Sequence, residues 1–291
     1  MIDKLFPALS IHLLACIVLL STANAQNAAA SQTASPPAQG VAADDEEVPN
    51  NGEDVTRPIN RFDLRMQYQS LPDGTSSSGS TLDDRSQETL TLRSDLVFFQ
   101  KPDQFALRVD LPFVWTNKTS SSNPDGNMKS GVGDLLTQMV YAHTINSRWA
   151  VGVGGRMYFP TDSGSAFGNG KWVAAPLAGF RCFVPEISKG TYTGFVVRWH
   201  ASFAGNPSTS PVRNVVFSPQ LNISLPDAWY LNSTPEIQWN YTTGKWFVPM
   251  YLMVGKKFGE RWVTSLEYRH SFVNGTNSYN NWVEARIGYF F

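Results

Sequence analysis

Trp282-Val283-Glu284-Ala285-Arg286-Ile287-Gly288-Tyr289-Phe290-Phe291 closes the chain, and its reading decides the fold. One parity carries Val283, Ala285, Ile287, Tyr289 and Phe291; the other carries Trp282, Glu284, Arg286, Gly288 and Phe290. Successive side chains of an extended backbone point to opposite faces, so this stretch is a strand between two different solvents. The pattern recurs upstream in segments of roughly ten residues, each followed by turn-formers, which is the periodicity of a transmembrane β-barrel. The expectation is an all-β fold, an antiparallel barrel of about 12 strands with both termini periplasmic.

Composition agrees. Aromatics make up 13% of the 291 residues, yet mean hydropathy is only −0.23. Both follow if alternate residues alone touch lipid. Beyond residue 25 no segment approaches the roughly 18 apolar residues a spanning helix needs. A formal net charge of −1 argues against nucleic acid as a partner.

The N-terminus reads as an export signal over residues 1–25. Lys4 is the positive flank, residues 5–20 are mostly apolar, and Ala23-Asn24-Ala25 fits a small-x-small cleavage site. Leu13-Leu14-Ala15-Cys16 offers a competing lipoprotein box, but Ile17-Val18-Leu19-Leu20 carries the apolar run past the cysteine. Cleavage after Ala25 leaves Cys182 alone, so no internal disulfide can staple the fold. Residues 26–58 are low in apolar content, with Asp44-Asp45-Glu46-Glu47 and Pro49-Asn50-Asn51-Gly52 among them. Two readings stand for them: a disordered periplasmic leader, or a plug whose acidic residues meet arginines inside the barrel. The barrel itself is assigned to residues 59–291.

Strands are expected near 60–70, 87–100, 104–116, 132–145, 149–160, 172–184, 191–204, 215–225, 228–241, 246–257, 261–273 and 281–291. The links between them alternate in length. Long polar links carry Pro72-Asp73-Gly74, Pro124-Asp125-Gly126 and Asn274-Gly275; short ones are Lys101-Pro102-Asp103, Asn146-Ser147-Arg148 and Gly259-Glu260. Only Thr242-Thr243-Gly244-Lys245 is short where a long link is due. Long external loops and short periplasmic turns sort this way in a barrel, and a soluble sandwich has no reason to sort them so.

An arginine or lysine on the lipid face near mid-membrane costs about 2–4 kcal/mol, which sets the register of most strands. Phe62, Leu64, Met66 and Tyr68 face out while Arg61, Asp63, Arg65 and Gln67 face in. By the same rule Arg93, Asp95, Arg108, Asp110, Arg156, Arg198, Arg269 and Arg286 face the lumen. With Arg65 these are the candidates for lining a solute path. The plain alternative is cross-strand pairing that fills a narrow barrel. Around the remaining wall the expected lining is mostly Gly, Ser, Thr, Asn and Gln, and strands 4, 6 and 10 have apolar residues on both faces. Trp115, Trp149, Trp172, Trp229, Trp246, Trp262 and Trp282 lie at strand ends and read as two aromatic girdles. Eight strands leave a filled interior and 16 to 18 an open one, so about 12 imply a narrow or gated passage.

Gly131-Val132-Gly133-Asp134-Leu135-Leu136 with Tyr141, the strand Trp149-Ala150-Val151-Gly152-Val153-Gly154-Gly155, the exit Phe159-Pro160-Thr161 and the loop Gly168-Asn169-Gly170-Lys171-Trp172 resemble motifs of a bacterial outer-membrane transporter family. That family is labelled "MetA-pathway of phenol degradation". The resemblance implies a barrel distantly similar to long-chain fatty-acid transporters, admitting small hydrophobic or aromatic solutes. It brings no defined binding residues. The terminal Phe291 resembles the C-terminal signal read by the outer-membrane assembly machinery. Partners expected are therefore outer-membrane lipid, that machinery and a small solute, at the bacterial outer membrane.

Two other classes compete. A structural or adhesive barrel without transport is compatible with long loops such as Thr119-Ser120-Ser121-Ser122-Asn123. Some outer-membrane barrels are phospholipases with a lipid-facing His-x-Ser pair, and His200-Ala201-Ser202 occurs here. But Phe195, Val197, Trp199, Ala201 and Phe203 form the greasy face, so His200 and Ser202 point inward, away from lipid. The expectation is a chain that is not an enzyme, with no cofactor and no metal, since no phosphate loop or clustered Cys/His set appears.

Overall fold

The computed structural model describes residues 49–99, 102–120, 122–276 and 278–291. The export signal, the lipoprotein box and the acidic run 44–47 lie outside the described residues. The rest forms a closed barrel of twelve antiparallel staves. They are β1 (Arg61–Ser70), β2 (Ser86–Phe98), β3 (Asp103–Thr116), β4 (Lys129–Val132 and Leu135–Thr144), β5 (Trp149–Phe159), β6 (Lys171–Phe183), β7 (Tyr192–Gly205), β8 (Arg213–Ser224), β9 (Trp229–Ser233 and Ile237–Asn240), β10 (Trp246–Phe258), β11 (Trp262–Asn274) and β12 (Asn281–Phe290). Each pairs with its sequence neighbours, and β1 closes the ring on β12 through Arg61↔Phe290 to Ser70↔Asn281. Closure leaves no edge strand and satisfies the backbone without water, as a membrane requires.

The expected strands match within a few residues, but two staves are broken. In β4, Gly133-Asp134 separate the two pieces. In β9 the break falls at Thr234-Pro235-Glu236, where proline has no N–H to offer the ladder.

Side chains alternate as the parity argument requires. Arg61, Asp63 and Arg65 are buried on β1, whereas Phe62 and Leu64 between them are exposed. Trp115, Trp149, Trp172, Trp229, Trp246 and Trp262 are exposed on the outer surface. Trp282 departs from the girdle reading. It shares parity with Glu284 and Arg286 and lines the interior, where Tyr279 meets it edge-on at 5.2 Å and the Arg269 guanidinium lies 4.4 Å from its ring centroid.

The three staves with two apolar faces also resolve. Inward positions are Gln138, Val140 and Ala142 on β4, Val173, Ala175, Leu177 and Arg181 on β6, and Phe247, Tyr251 and Met253 on β10. The wall away from the charged strands therefore carries buried valine, leucine and aromatic side chains among the expected small and polar residues such as Gln138, Ser202, Ser218 and Asn222. Near the short turns, Tyr230, Tyr251, Met253, Val263 and Phe290 pack into one apolar cluster, with Ile59 against it.

At the opposite rim the long links fold onto one another. Ser77 N–H donates to the Pro124 carbonyl at 3.1 Å, and Ser122 N–H to Ser165 Oγ at 3.1 Å. Two of the quoted glycine-rich motifs meet here. Asn169 N–H donates to Asp134 Oδ2 at 2.7 Å, and a Cβ on Gly168 would lie 2.5 Å from Asp134 Oδ1. Burial and the facing Asp162 carboxyl push Asp134 up to about 6.

The lumen as candidate functional site

Five neighbouring staves, β11, β12, β1, β2 and β3, bring their charged parity to one side of the lumen. Register places opposite signs beside each other: Arg61↔Asp95, Asp63↔Arg93, Arg93↔Asp110 and Asp95↔Arg108. Arg108 Nε donates to Asp95 Oδ1 at 2.7 Å and Arg93 Nε to Asp110 Oδ1 at 2.7 Å, each pair closed by a second hydrogen bond. Arg61 Nε donates to Asp95 Oδ2 at 2.6 Å, so Asp95 serves two arginines. On β12, Glu284 accepts from Arg65 at 2.8 Å and from Gln67 at 2.6 Å. Arg269 on β11 pairs with Glu267, which also accepts from the Tyr251 hydroxyl at 2.8 Å.

Asp63 lies at the centre, with no solvent exposure. Its Oδ2 is 3.0 Å from Arg65, 3.2 Å from Arg286 and 3.6 Å from Arg61. Gly288 makes this packing possible, because a Cβ there would stand 2.4 Å from Asp63 Oδ1. Arg65 also has Glu284 and Arg61 also has Asp95, but Arg286 meets only Asp63 on the barrel wall, and its second carboxylate comes from outside that wall.

Residues 49–58 supply it. Glu53 hydrogen-bonds Arg286 and lies 3.9 Å from Arg65 and 4.0 Å from Arg61. Burial alone would push its carboxyl up; Arg286, Arg65 and Arg61 outweigh burial and hold it below the usual carboxylate range. The Gly52 carbonyl accepts from Arg61 at 2.7 Å, at a backbone φ of 78° and with no room for a Cβ beside that guanidinium. Asp54 binds Arg57 at 2.9 Å and Arg181 at 3.3 Å. Arg181 in turn donates to Thr56 Oγ1 at 3.2 Å and lies 3.8 Å from the Phe183 ring centroid. Asn51 reaches Asn222 on β8 at 2.9 Å. Asn51, Asp54, Thr56 and Arg57 are all buried, in a segment with no regular ladder of its own.

Above this floor a cavity of about 250 Å³ remains. Arg65, Arg93, Asp95, Arg108, Arg156, Arg198 and Arg269 line it; Asp110 and Arg286 do not, being taken up by Arg93 and by Glu53 with Asp63. The structure thus brings seven of the nine candidate residues to one space. The lining that parity reasoning missed is apolar: Val140, Leu177 and Val196 on β4, β6 and β7. A signal was available, because Arg181 shares parity with Leu177 and a lipid-facing arginine is costly. Glu236, at the β9 break, lines the same space. It accepts from Arg198 at 2.6 Å.

His200 and Ser202 face the lumen side of β7. The His200 ring lies tilted 5.7 Å from that of Tyr158, and Ser202 Oγ accepts from Val212 N–H at 3.0 Å. No hydrogen bond joins the pair. Among the described residues no group of three His, Cys, Asp or Glu side chains is placed to hold a metal ion.

No family model matches the chain, and no curated protein matches it. Solved structures do. The COG4313 outer membrane channel from Pseudomonas putida F1 superposes with a TM-score of 0.62 at 15% identity, over 87% of this chain and 100% of that one. The NanC porin gives 0.50 at 12% identity, over 79% and 98%. The outer membrane phospholipase A from Escherichia coli gives 0.43 at 9% identity, over 83% and 96%, too distant to bear on activity. At these identities the likeness establishes the fold, a barrel of the outer-membrane kind.

Proposed function

We propose that the chain is an outer-membrane channel that passes small hydrophobic or aromatic solutes through a narrow, arginine-lined lumen, with no catalytic role. The observation that carries this reading is the cavity of about 250 Å³ inside a closed barrel, densely charged along β11 to β3 and with Val140, Leu177 and Val196 beside Arg156 and Arg198 on the opposite wall. A barrel serving only as scaffold or adhesin gains nothing from an interior space bounded by buried arginines, whose desolvation is costly. Both termini then lie in the periplasm, where the short turns face, and Phe291 is offered to the assembly machinery. Residues 49–58 act as a plug on that side. Their supporting feature is the set of contacts that Glu53 and Asp54 make with inward arginines.

Liposome swelling tests the channel. Vesicles carrying the protein should swell in small aromatic solutes and exclude solutes of disaccharide size. Vesicles that stay impermeable to every solute, while outer-membrane insertion is intact, would return the scaffold reading. Phospholipid hydrolysis that depends on His200 would return the enzyme.

A further inference from the structure

The lumen arginines are not equally served. Arg61 and Arg108 share Asp95, Arg93 has Asp110, Arg65 has Asp63 and Glu284, and Arg269 has Glu267. Arg156 on β5 has no carboxylate partner among the described residues. Its hydrogen bond goes to the neutral amide oxygen of Gln138, directly across the β4–β5 ladder. Arg198, two staves away and 7% exposed, spends one nitrogen on Ser218 and Glu236, and its Nε is buried without an acceptor. Arg156, Arg198 and Arg269 all act electrostatically on the single carboxylate of Glu236.

The surface beside this corner is apolar. Register sets Arg156 opposite Ala175 and Arg198 opposite Leu177, and Val140 sits two residues along β4 from Gln138. Residues two apart on a strand face are about 7 Å apart, roughly the span from a carboxylate to the far edge of an attached six-membered ring. The backbone positions of Val140, Leu177 and Val196 therefore lie within about one ring-length of those of Gln138, Arg156 or Arg198.

We propose that this corner is a binding site for a small aromatic monocarboxylate. Its carboxylate is held by Arg156, with the Arg198 guanidinium beside it, and its ring lies on Val140, Leu177 and Val196. The proposal deepens the channel reading and rests on it for its role in transport. An arginine held by a neutral amide presents its remaining donors to a planar anion at little cost, which a fully ion-paired arginine does not.

Calorimetric titration of benzoate into the full-length protein in detergent tests the site apart from flux. Benzoate should bind saturably, and benzyl alcohol, with the same ring and no charge, at least about tenfold more weakly. Arg156→Gln should cost benzoate tenfold or more and leave benzyl alcohol unchanged; Arg156→Lys should restore part of the loss. Benzoate affinity should also fall as salt rises. Equal benzoate affinity in the native protein and Arg156→Gln overturns the site, as does binding of benzyl alcohol as tight as that of benzoate. Should Arg156→Gln not fold, the Lys variant and the salt dependence of the native protein decide. Benzoate binding without benzoate entry into vesicles keeps the site and removes the channel; entry without binding does the reverse.

Discussion

Glu53 is the residue on which the lower lumen turns. Three guanidiniums converge on Asp63; Arg65 and Arg61 have Glu284 and Asp95 besides, and for Arg286 the second carboxylate is Glu53, from a segment outside the strands. Removing one partner of a buried ion pair leaves an uncompensated charge and costs up to about 3–5 kcal/mol. Asp63 still serves the same arginines, so Glu53→Gln should cost about 2 kcal/mol. Urea unfolding of the lipid-inserted protein, followed by tryptophan fluorescence, measures it; an unchanged midpoint would show that Glu53 does not seat there. Asp134 allows a second prediction at this scale. Its pKa is raised to about 6, so the proton is held more tightly in the folded state than in the unfolded chain. The stability it contributes is full below the ordinary aspartate value near 4 and is lost as pH rises through 6. The group is partly exposed, which discounts the effect to on the order of 1 kcal/mol. The protein should therefore melt higher at pH 5 than at pH 7.5, and Asp134→Asn should shrink that difference. A variant that keeps the full difference would remove Asp134 as its cause.

The staves were legible in the sequence wherever a charge fixed the parity. On β1, Arg61, Asp63 and Arg65 leave one register that keeps charge out of lipid, and the structure adopts it. Trp282 was misread because its place at a strand end matches a girdle, while its parity with Glu284 and Arg286 sends it inward. Parity governs, because a one-residue slip would expose both charges to lipid. The two breaks were not legible. Gly133-Asp134 falls at the expected start of its strand, where too few residues precede it for a change of phase to show, and Pro235 is as compatible with a short turn as with a broken stave. What holds Glu53 and Asp54 in the lumen was half legible: the sequence offered acidic residues meeting arginines, without the register that picks these two. The β9 break carries its own prediction. Its two pieces pair with β8 only through Leu221↔Ser233 to Ser224↔Tyr230 and Asn214↔Asn240 to Phe217↔Ile237, whereas β7 pairs with β8 continuously from Tyr192↔Asn222 to Ala201↔Arg213. Fewer ladder hydrogen bonds mean cheaper local opening. Amides of 232–240 should exchange with deuterium at least about tenfold faster than those of β7 in the same detergent micelle. Equal protection along both staves would show that the side-chain contacts around Glu236 replace the missing ladder.

Across the whole molecule the charges of the wall and of residues 49–58 are complementary. Seven arginines line the cavity, against four carboxylates from the barrel wall, Asp95, Glu236, Glu267 and Glu284; Glu53 and Asp54 bring two more from the segment. Removing residues 49–58 removes those two carboxylates and one arginine, so the lumen becomes more positive by one charge and loses its floor. A twelve-stave barrel is wide enough to conduct once its interior is cleared and narrow enough for wall charge to select ions. Deletion of 49–58 from the full chain should therefore raise single-channel conductance roughly twofold or more and move the reversal potential in a KCl gradient toward chloride. Acid should act in the same direction on the intact protein. The Glu53 carboxyl is held below the usual carboxylate range, so its contribution to seating the segment is complete at neutral pH and is lost only as pH falls through that lowered value. Conductance of the native channel should thus stay flat from neutral pH down to about 4 and rise below it, while the deleted form shows no such rise. A deletion variant with native conductance and native ion preference would mean that the segment does not obstruct the path, and that the arginines it covers serve only to hold the barrel together.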